Sequence, residues 1–388
     1  MAISISLFCP PACVVPVNST TRLERCVAEL AGRNEAVAVG RAAWGLFALL
    51  SLLKRGGEPQ RIALPSFLCQ SPLAATLLAG WRPEFCDVDP ATGNVPDAEW
   101  MRVIEAGVQA VLFVHLFGNI GNAGRIAELC HARGIFFIED AAQSFGGNWE
   151  GRPCGSHGDA AIVSFGHTKL IDVGHGGMVL ANDRRLANEI REFESNSSGR
   201  QLNEASVAKQ FRELFYAARR QLGNSPDRAR EAFGGLIRVY EPLLPTRWKP
   251  EVATQLLIRL GDLVPAVAAR REKFEIYRDA LRSSALIPLA FSGESVPWRA
   301  VFRLPGAHWS EQEMISEAVR AEGVDISNWY IPSHWLMERP GLPAGALPST
   351  ERLSQEIFQL WLDDRTGPER VRHAAHVMVR KLEEAGYG

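Results

Sequence analysis

Residues 36–182 alternate between short apolar runs and segments with helical periodicity, and this alternation constrains the fold more than any other feature of the chain. The apolar runs, such as Gln109 to His115 and Ala160 to Phe165, are rich in Val, Ile and Phe and show little polar alternation. Strands of this kind are typical of a sheet that is covered on both faces. The helical segments between them, such as Asn122 to Arg133, predict repeated β-α-β units and therefore a mainly parallel sheet.

The remainder of the chain divides into two parts of different character. Residues 191–250 are charged and contain helical periodicity, as in Val207 to Leu222, which predicts a helical insertion or connection. A long predicted helix over Val252 to Leu281 is followed by short strands and further helices. The sequence therefore predicts a large α/β domain over residues 1–190 and a smaller α+β domain over residues 251–388.

The charge balance and the cysteine spacing exclude several classes of protein. Lys and Arg total 42 against 44 Asp and Glu, whereas a nucleic-acid-binding protein needs a basic excess to neutralise phosphates. The 7 cysteines form no CxxC pair, which argues against a zinc site or a disulfide framework. The N-terminus lacks the basic start of a signal peptide, and the longest apolar run, Ala42 to Leu53, is shorter than the roughly 20 residues that cross a bilayer. We therefore expect a cytoplasmic protein that binds small molecules, with no nucleic-acid, membrane or metal partner.

Polar side chains follow two predicted strands at the place where a parallel sheet binds ligands, the carboxyl ends of its strands. Asp140 ends the apolar run that begins at Phe136, and Ser164 lies near the end of the next run. Lys169 follows among glycines and apolar residues. An isolated Asp often caps a turn, and an isolated Lys is usually a solvated surface charge. A Lys just past a buried strand is a better candidate for a lowered pKa and for imine formation.

As a set, these residues have the chemistry that pyridoxal 5'-phosphate requires. Lys169 offers an amine for the cofactor aldehyde, and Asp140 offers a negative charge that keeps the pyridine nitrogen protonated. Gly40 and Arg41 open a helix directly after a strand, where free N–H groups and the helix dipole attract a phosphate, and Ser164 adds a hydroxyl. The absence of GxGxxG and GxxxxGK[ST] motifs argues against dinucleotide binding and Walker-type nucleotide hydrolysis. Glycoside hydrolysis needs only two carboxylates, so the pattern leaves that reaction open.

Seven short motifs follow one another in order along the large predicted domain. They are Val39–Ala43, Leu64–Phe67, Cys86–Pro90, Val114–Gly118, Glu139–Gln143, Ser164–Lys169 and Gly174–Gly177. With this order and spacing, the sequence resembles the DegT/StrS-type nucleotide-sugar aminotransferases, which are fold-type I enzymes that depend on pyridoxal phosphate. The resemblance extends from about Asn34 to Leu382. It implies an α/β architecture with a mainly parallel sheet, helices on both faces and a smaller C-terminal α+β domain.

The resemblance also implies a role for each matching residue. Lys169 would form the internal aldimine and carry the proton, Asp140 would pair with the pyridine nitrogen, and Gln143 would lie near the ring hydroxyl. The phosphate would be held by Gly40, Arg41 and Ser164. The enzyme would be a homodimer with shared active sites, and it would move an amino group from an amino acid, glutamate, to a keto-sugar linked to a nucleotide.

Several positions depart from the family pattern, mainly on the substrate side. Arg41 stands where the family usually has Ser or Thr. Cys69 stands where an aromatic ring commonly stacks on the cofactor, so that either Phe67 or another residue replaces that ring or this face of the cofactor is open. The usual Asn-Tyr-Arg motif is not recognisable, and Thr246–Pro250 occupies roughly its place.

Four residues are candidates for binding the substrate. His115 and His334 fall at positions that match the family, although a lone His is more often structural. Arg247 and Lys249 are candidates for the diphosphate of a nucleotide sugar. The drift on this side leaves two alternatives to transamination: another carbanion reaction, such as elimination or racemisation of a non-sugar substrate, or a catalytically inactive binding protein with the same fold.

Overall fold

The computed structural model describes residues 18–57, 59–197, 204–220, 236, 244–337 and 345–388. A seven-stranded sheet forms the centre of the N-terminal part. Its strands are β1 (Glu35–Val39), β2 (Arg61–Pro65), β3 (Arg82–Cys86), β4 (Ala110–Val114), β5 (Phe136–Asp140), β8 (Ala160–Ser164) and β9 (Gly177–Ala181). Between β5 and β8, the strands β6 (Asn148–Trp149) and β7 (Arg152–Pro153) form a small hairpin.

The strand order is β1-β9-β8-β5-β4-β2-β3, and only β9 runs against its neighbours. The other neighbouring pairs, from β3 to β8, are parallel. The chain between β8 and β9 contains no helix, so it returns directly beside the strand that it left and pairs antiparallel with it. The prediction of a mainly parallel sheet is confirmed.

Helices cover both faces of this sheet, as the sequence predicts. They are α1 (Ser19–Leu30), α2 (Ala42–Leu53), α3 (Gln70–Leu78), α4 (Asp97–Glu105), α5 (Ala123–His131) and α6 (Arg184–Asn196). Alternate residues of β1 belong to two different apolar cores: Val37 packs in the core that contains α2, and Ala38 packs in the core that contains α1. Because successive side chains of a strand point to opposite faces, two cores separated by one sheet follow directly.

The C-terminal part has its own antiparallel sheet and its own core. Its strands are β10 (Ile287–Pro288), β11 (Ala300–Arg303), β12 (Ile326–Ser327) and β13 (Ile357–Leu360), in the order β10-β11-β13-β12. Its helices and the helices that precede it are α7 (Glu204–Arg220), α8 (Val252–Gly261), α9 (Leu263–Ala280), α10 (Trp309–Ala321), α11 (Pro348–Glu356) and α12 (Pro368–Glu384). Phe302, Phe358 and Met378 lie in one buried core here, and the predicted α+β character is confirmed.

The single long helix predicted over Val252 to Leu281 is wrong, because the structure divides it into α8 and α9. The two helices meet at Asp262 and are bent by 63°. Pro265 lies in the first turn of α9, and a proline there lacks the N–H that a continuous helix would need at that position. Among the described helices, none is by itself long and apolar enough to cross a membrane, although α8 and α9 meet the length and composition requirement as a bent pair.

Candidate active site

A cavity of about 510 Å³ lies at the carboxyl ends of β5 and β8. The six residues predicted to bind the cofactor all line it: Gly40, Arg41, Asp140, Gln143, Ser164 and Lys169. Three aromatic residues from the C-terminal part complete the wall, namely Trp298, Trp329 and Tyr330. The topology therefore brings the strand-end residues of the large sheet together with rings from a distant part of the sequence.

Asp140 is the last residue of β5, and its carboxylate is 5% exposed. Its Oδ1 accepts a hydrogen bond from the N–H of Ala142 at 2.9 Å. Burial raises the pKa of Asp140, while that hydrogen bond and the nearby charge of Lys169 act in the opposite direction. The structure thus holds a carboxylate with a fixed orientation inside the cavity.

Lys169 lies on the loop between β8 and β9 and is half-buried. Its Nζ lies 5.2 Å from the centre of the Trp298 ring. Burial lowers the pKa of Lys169, and the nearby negative charge of Asp140 partly counteracts this effect. A lysine whose pKa is lowered has a larger neutral fraction at neutral pH, which is the form that acts as a nucleophile.

The N-terminus of α2 faces the other end of the cavity. Arg41 is the N-cap residue, its backbone is extended (φ −151°), and its side chain makes no capping hydrogen bond. Gly40 must be a glycine, because a Cβ at this position would lie 1.8 Å from the carbonyl oxygen of Thr246. Ser164 Oγ accepts a hydrogen bond from the N–H of Gly166 at 3.4 Å and contributes a hydroxyl to the same cavity. A helix N-terminus of this kind favours an anion.

Gln143 connects the two halves of the site. Its Oε1 accepts a hydrogen bond from the N–H of Phe117 at 2.7 Å, and its Nε2 donates to the hydroxyl of Tyr330 at 2.8 Å. Tyr330 is 1% exposed, and burial raises the pKa of its hydroxyl well above the ordinary value. The Tyr330 hydroxyl is therefore protonated at neutral pH and held in place by Gln143.

The aromatic wall is the part of the site that the sequence did not reveal. Cys69 lines the cavity, but Phe67 is fully buried, packs on Tyr330 with ring centres 5.4 Å apart, and is not among the lining residues. Trp329 stacks on Phe215 of α7 at 4.2 Å, so the helical insertion supports this wall from behind. Trp298 lies just before β11, and Trp329 and Tyr330 lie between β12 and β13. These rings carry no local motif, and only their position in space assigns them to the site.

The structure places His115 and His334 outside the lining of the cavity. His115 Nε2 lies 2.9 Å from Glu139 Oε1, and both side chains are buried. His334 Nδ1 lies 2.7 Å from Ser66 Oγ, and its Nε2 lies 3.2 Å from Glu351 Oε1. Buried histidines that are fully occupied by such partners are typical of structural networks.

Arg247 and Lys249 are both exposed and also lie outside the lining of the cavity. Arg247 Nη2 donates to the carbonyl oxygen of Ser195 at 2.9 Å. The segment between them lies close to the predicted phosphate end, because the ring of Trp248 is centred 6.1 Å from that of His175. These two cations are therefore near the site in space without forming its wall.

Comparison with known proteins identifies the family. Residues 16–224, more than half of the chain, match the model of the DegT/DnrJ/EryC1/StrS aminotransferase family. The chain belongs to this family. The resemblance drawn from the sequence motifs is therefore confirmed.

Individual relatives and a solved structure agree with this membership. The dTDP-4-dehydro-2,3,6-trideoxy-D-glucose 4-aminotransferase of Saccharopolyspora spinosa is 36% identical over 137 residues, which cover 35% of this chain and only 36% of that relative. The dTDP-3-amino-3,4,6-trideoxy-alpha-D-glucose transaminase of Micromonospora megalomicea subsp. nigra is 30% identical over 74% of this chain and 70% of its own length. The crystal structure of the aminotransferase TlmJ from Streptoalloteichus hindustanus superposes with a TM-score of 0.76 at 25% identity, covering 95% of this chain and 92% of that chain.

Proposed function

We propose that this protein is a pyridoxal 5'-phosphate-dependent aminotransferase that moves an amino group from an amino acid, glutamate, to a keto-sugar linked to a nucleotide. The observation that carries the proposal is that Lys169 and Asp140 line one cavity together with the N-terminus of α2. An amine, a carboxylate and an anion site are the three groups that this cofactor needs from a protein.

Two glycines near the start of α2 support the same proposal. Gly177 lies against the start of α2, where a Cβ would come within 2.5 Å of the backbone nitrogen of Ala42. A Cβ on Gly176 would lie 2.8 Å from the ring of Trp248. These glycines therefore let two backbone segments approach closely at the predicted phosphate end, where Gly40, Arg41 and Ser164 would hold the phosphate.

When bound, the cofactor supplies an electron sink for the negative charge that develops on the substrate α-carbon. Asp140 would pair with the pyridine nitrogen and keep it protonated, because a nearby negative charge favours the cationic form. Because its pKa is lowered, the neutral amine of Lys169 would accept the proton from the substrate α-carbon and pass it to the aldehyde carbon of the cofactor. The rate should therefore increase with pH over a range that lies below 10.5, the ordinary pKa of a lysine.

The substrate class rests on the relatives and on the nearby cations. Two relatives carry names that specify dTDP-linked sugars. Arg247 and Lys249 remain candidates for the diphosphate, since both are exposed beside the segment that packs on Gly40. A homodimer with shared active sites and a cytoplasmic location are part of the same proposal.

Borohydride reduction of the purified protein, followed by peptide mass spectrometry, tests the cofactor assignment. We expect a pyridoxyl adduct on Lys169, and an adduct elsewhere would contradict the assignment. Incubation with glutamate and a panel of nucleotide-linked keto-sugars should then release 2-oxoglutarate and form an amino sugar. If the adduct formed on Lys169 but no acceptor led to release of 2-oxoglutarate from glutamate, the result would instead favour elimination, racemisation or an inactive binding protein.

A further inference from the structure

We propose that Arg270 and Trp298 are positioning residues that clamp the main chain on both sides of the Lys169 α-carbon and so fix the direction in which its amine enters the cavity. This inference rests on the proposed function of Lys169. It adds two residues from the C-terminal part of the chain that no sequence motif assigns to the reaction.

Three hydrogen bonds form the clamp. The indole Nε1 of Trp298 donates to the carbonyl oxygen of Thr168 at 2.8 Å. The Nη2 of Arg270 donates to the carbonyl oxygen of Lys169 at 2.9 Å. The Nη1 of Arg270 donates to the carbonyl oxygen of Trp298 at 3.1 Å. Two successive carbonyls of the loop are thus held by two side chains, and Arg270 also holds the main chain of Trp298.

The clamp is buried and acts on a strained part of the backbone. Arg270 is 2% exposed, and hydrogen bonds from a guanidinium are stronger than those between neutral groups. Thr168 has a positive φ of 71°, a conformation that residues other than glycine rarely adopt. Its N–H donates to Asp172 Oδ2 at 2.7 Å, so hydrogen bonds hold the peptide groups on both sides of Thr168. Unusual backbone conformations persist only where the surroundings enforce them.

Trp298 also touches the reactive end of the lysine. Its ring lies 5.2 Å from the Nζ of Lys169 and 4.3 Å from the guanidinium carbon of Arg299. Arg299 is 2% exposed and lies 3.6 Å from the ring centre of Trp361. Among the charged groups around Lys169, Asp140 favours its protonation, and Arg270 and Arg299 oppose it.

Four variants of the full-length protein test the clamp. Arg270→Lys keeps the charge but loses the two-pronged donor, and Arg270→Met removes both the charge and the donors. Trp298→Phe keeps a ring beside Lys169 but removes the indole N–H. Arg271→Met is the matched control, because Arg271 is the next residue on α9 and also donates to two carbonyls, those of Ser295 and Glu294, away from the loop.

We expect kcat with glutamate as the amino donor to fall about tenfold to 100-fold in Arg270→Lys and Trp298→Phe. The KM for glutamate should change less, because misplacement of a reacting group affects the rate more than it affects binding. Amide hydrogen exchange in the peptide 165–174 should accelerate in both variants, with and without the cofactor. The pH midpoint of the cofactor absorbance should shift upward in Arg270→Met but not in Arg270→Lys, because only the former removes a positive charge. Arg271→Met should match the wild type in all three measurements.

Unchanged kcat and unchanged exchange in Arg270→Lys and Trp298→Phe would overturn the clamp while leaving the proposed function intact. Equal losses in Arg271→Met would also overturn it, because they would show a general effect of disturbing α9. If the wild type itself formed no adduct on Lys169, the proposed function would fail before the clamp was tested. Hydrogen exchange in the cofactor-free protein would then still report whether Arg270 and Trp298 hold this loop.

Discussion

The two walls of the cavity come from parts of the chain that differ in how they hold their residues. Asp140 and Ser164 end neighbouring parallel strands of the large sheet, so that the rigid sheet itself sets their separation. Trp298, Trp329 and Tyr330 lie on connections outside the regular strands of the C-terminal part, and side-chain contacts hold them in place. Asp140 and Ser164 thus sit at strand ends of the sheet, and rings from connecting segments sit opposite. We infer that the sheet side determines the reaction and that Trp329 and Tyr330 determine what is accepted, whereas Trp298 positions Lys169.

The largest effect should come from the amine on the sheet side. Lys169→Ala should reduce turnover at least about 1000-fold, because the variant lacks both the nucleophile and the proton carrier. The yellow absorbance of the bound cofactor should also be lost. Lys54→Ala serves as the control, since that lysine is exposed and outside the cavity lining. Retained turnover in Lys169→Ala would contradict the division of roles between the walls.

A second change on the same wall separates charge from shape. Asp140→Asn keeps the size of the side chain and removes its charge, and it should lower kcat about 100-fold, as expected when one preorganised electrostatic partner is lost. Asp97→Asn, which disrupts a surface ion pair with Arg125, provides a comparison of the same chemistry at an exposed position. Steady-state rates with saturating glutamate measure the difference, and equal rates for the two variants would argue against a cofactor role for Asp140.

The rigidity of the sheet side depends on a buried carboxylate next to the site. Glu139 accepts hydrogen bonds from His115 and from the N–H groups of Gly155 and His157. Burial raises the pKa of Glu139, but these bonds outweigh burial and bring it below the ordinary 4.5. Its ionised form therefore adds stability above pH 4.5, and this stability is lost as the pH falls through the lower folded-state pKa.

Glu139→Gln should reduce the free energy of unfolding by about 2 kcal/mol at pH 7, because the amide cannot accept all of these bonds. The difference from the wild type should shrink as the pH falls below 4.5 and the wild-type carboxylate becomes protonated in the folded state. Urea unfolding at several pH values measures it. A difference that stays constant across this range would show that the charge of Glu139 does not contribute.

On the aromatic side, a smaller effect is expected from the residue that joins the two walls. Tyr330→Phe removes the hydroxyl that accepts the hydrogen bond from Gln143, and kcat/KM should fall about tenfold, which corresponds to one lost hydrogen bond in a buried site. The loss should be larger for the sugar acceptor than for glutamate if this wall determines acceptance. Equal losses for both substrates would remove the distinction between the walls.

The smallest effect is expected from the exposed cations. Arg247→Ala and Lys249→Ala should each raise KM for a nucleotide-linked sugar about threefold, the size typical of exposed charge pairs, and the effect should weaken at high salt. KM for glutamate should stay unchanged. A KM for the sugar that is insensitive to both substitutions and to salt would remove these residues from the proposed substrate site.

Local sequence patterns predicted the large sheet better than they predicted features that depend on packing. The apolar runs Gln109 to His115 and Ala160 to Phe165 match β4 and β8 within one residue at each end, because apolar runs and strand-end polar residues are local patterns. The short helix α4, the hairpin of β6 and β7 and the break at Asp262 were not predicted, since each depends on packing or on a single residue. His115 and His334 show that the sequence does not predict which partners a side chain contacts. A histidine in a motif gives the same sequence pattern whether it lines a cavity or, as here, contacts a carboxylate.

The sequence by itself determined the chemistry of this protein, because the positions of Asp140, Ser164 and Lys169 are tied to strand ends and a parallel sheet brings its strand ends to one edge. Only the tertiary structure decided what faces those groups. Trp298, Trp329 and Tyr330 lie more than 120 residues beyond Lys169, and the packing of the C-terminal part against the N-terminal part places them at the cavity. The hydrogen bonds from Arg270 and Trp298 to the lysine loop likewise arise from contacts between distant segments, which no periodicity in the sequence encodes.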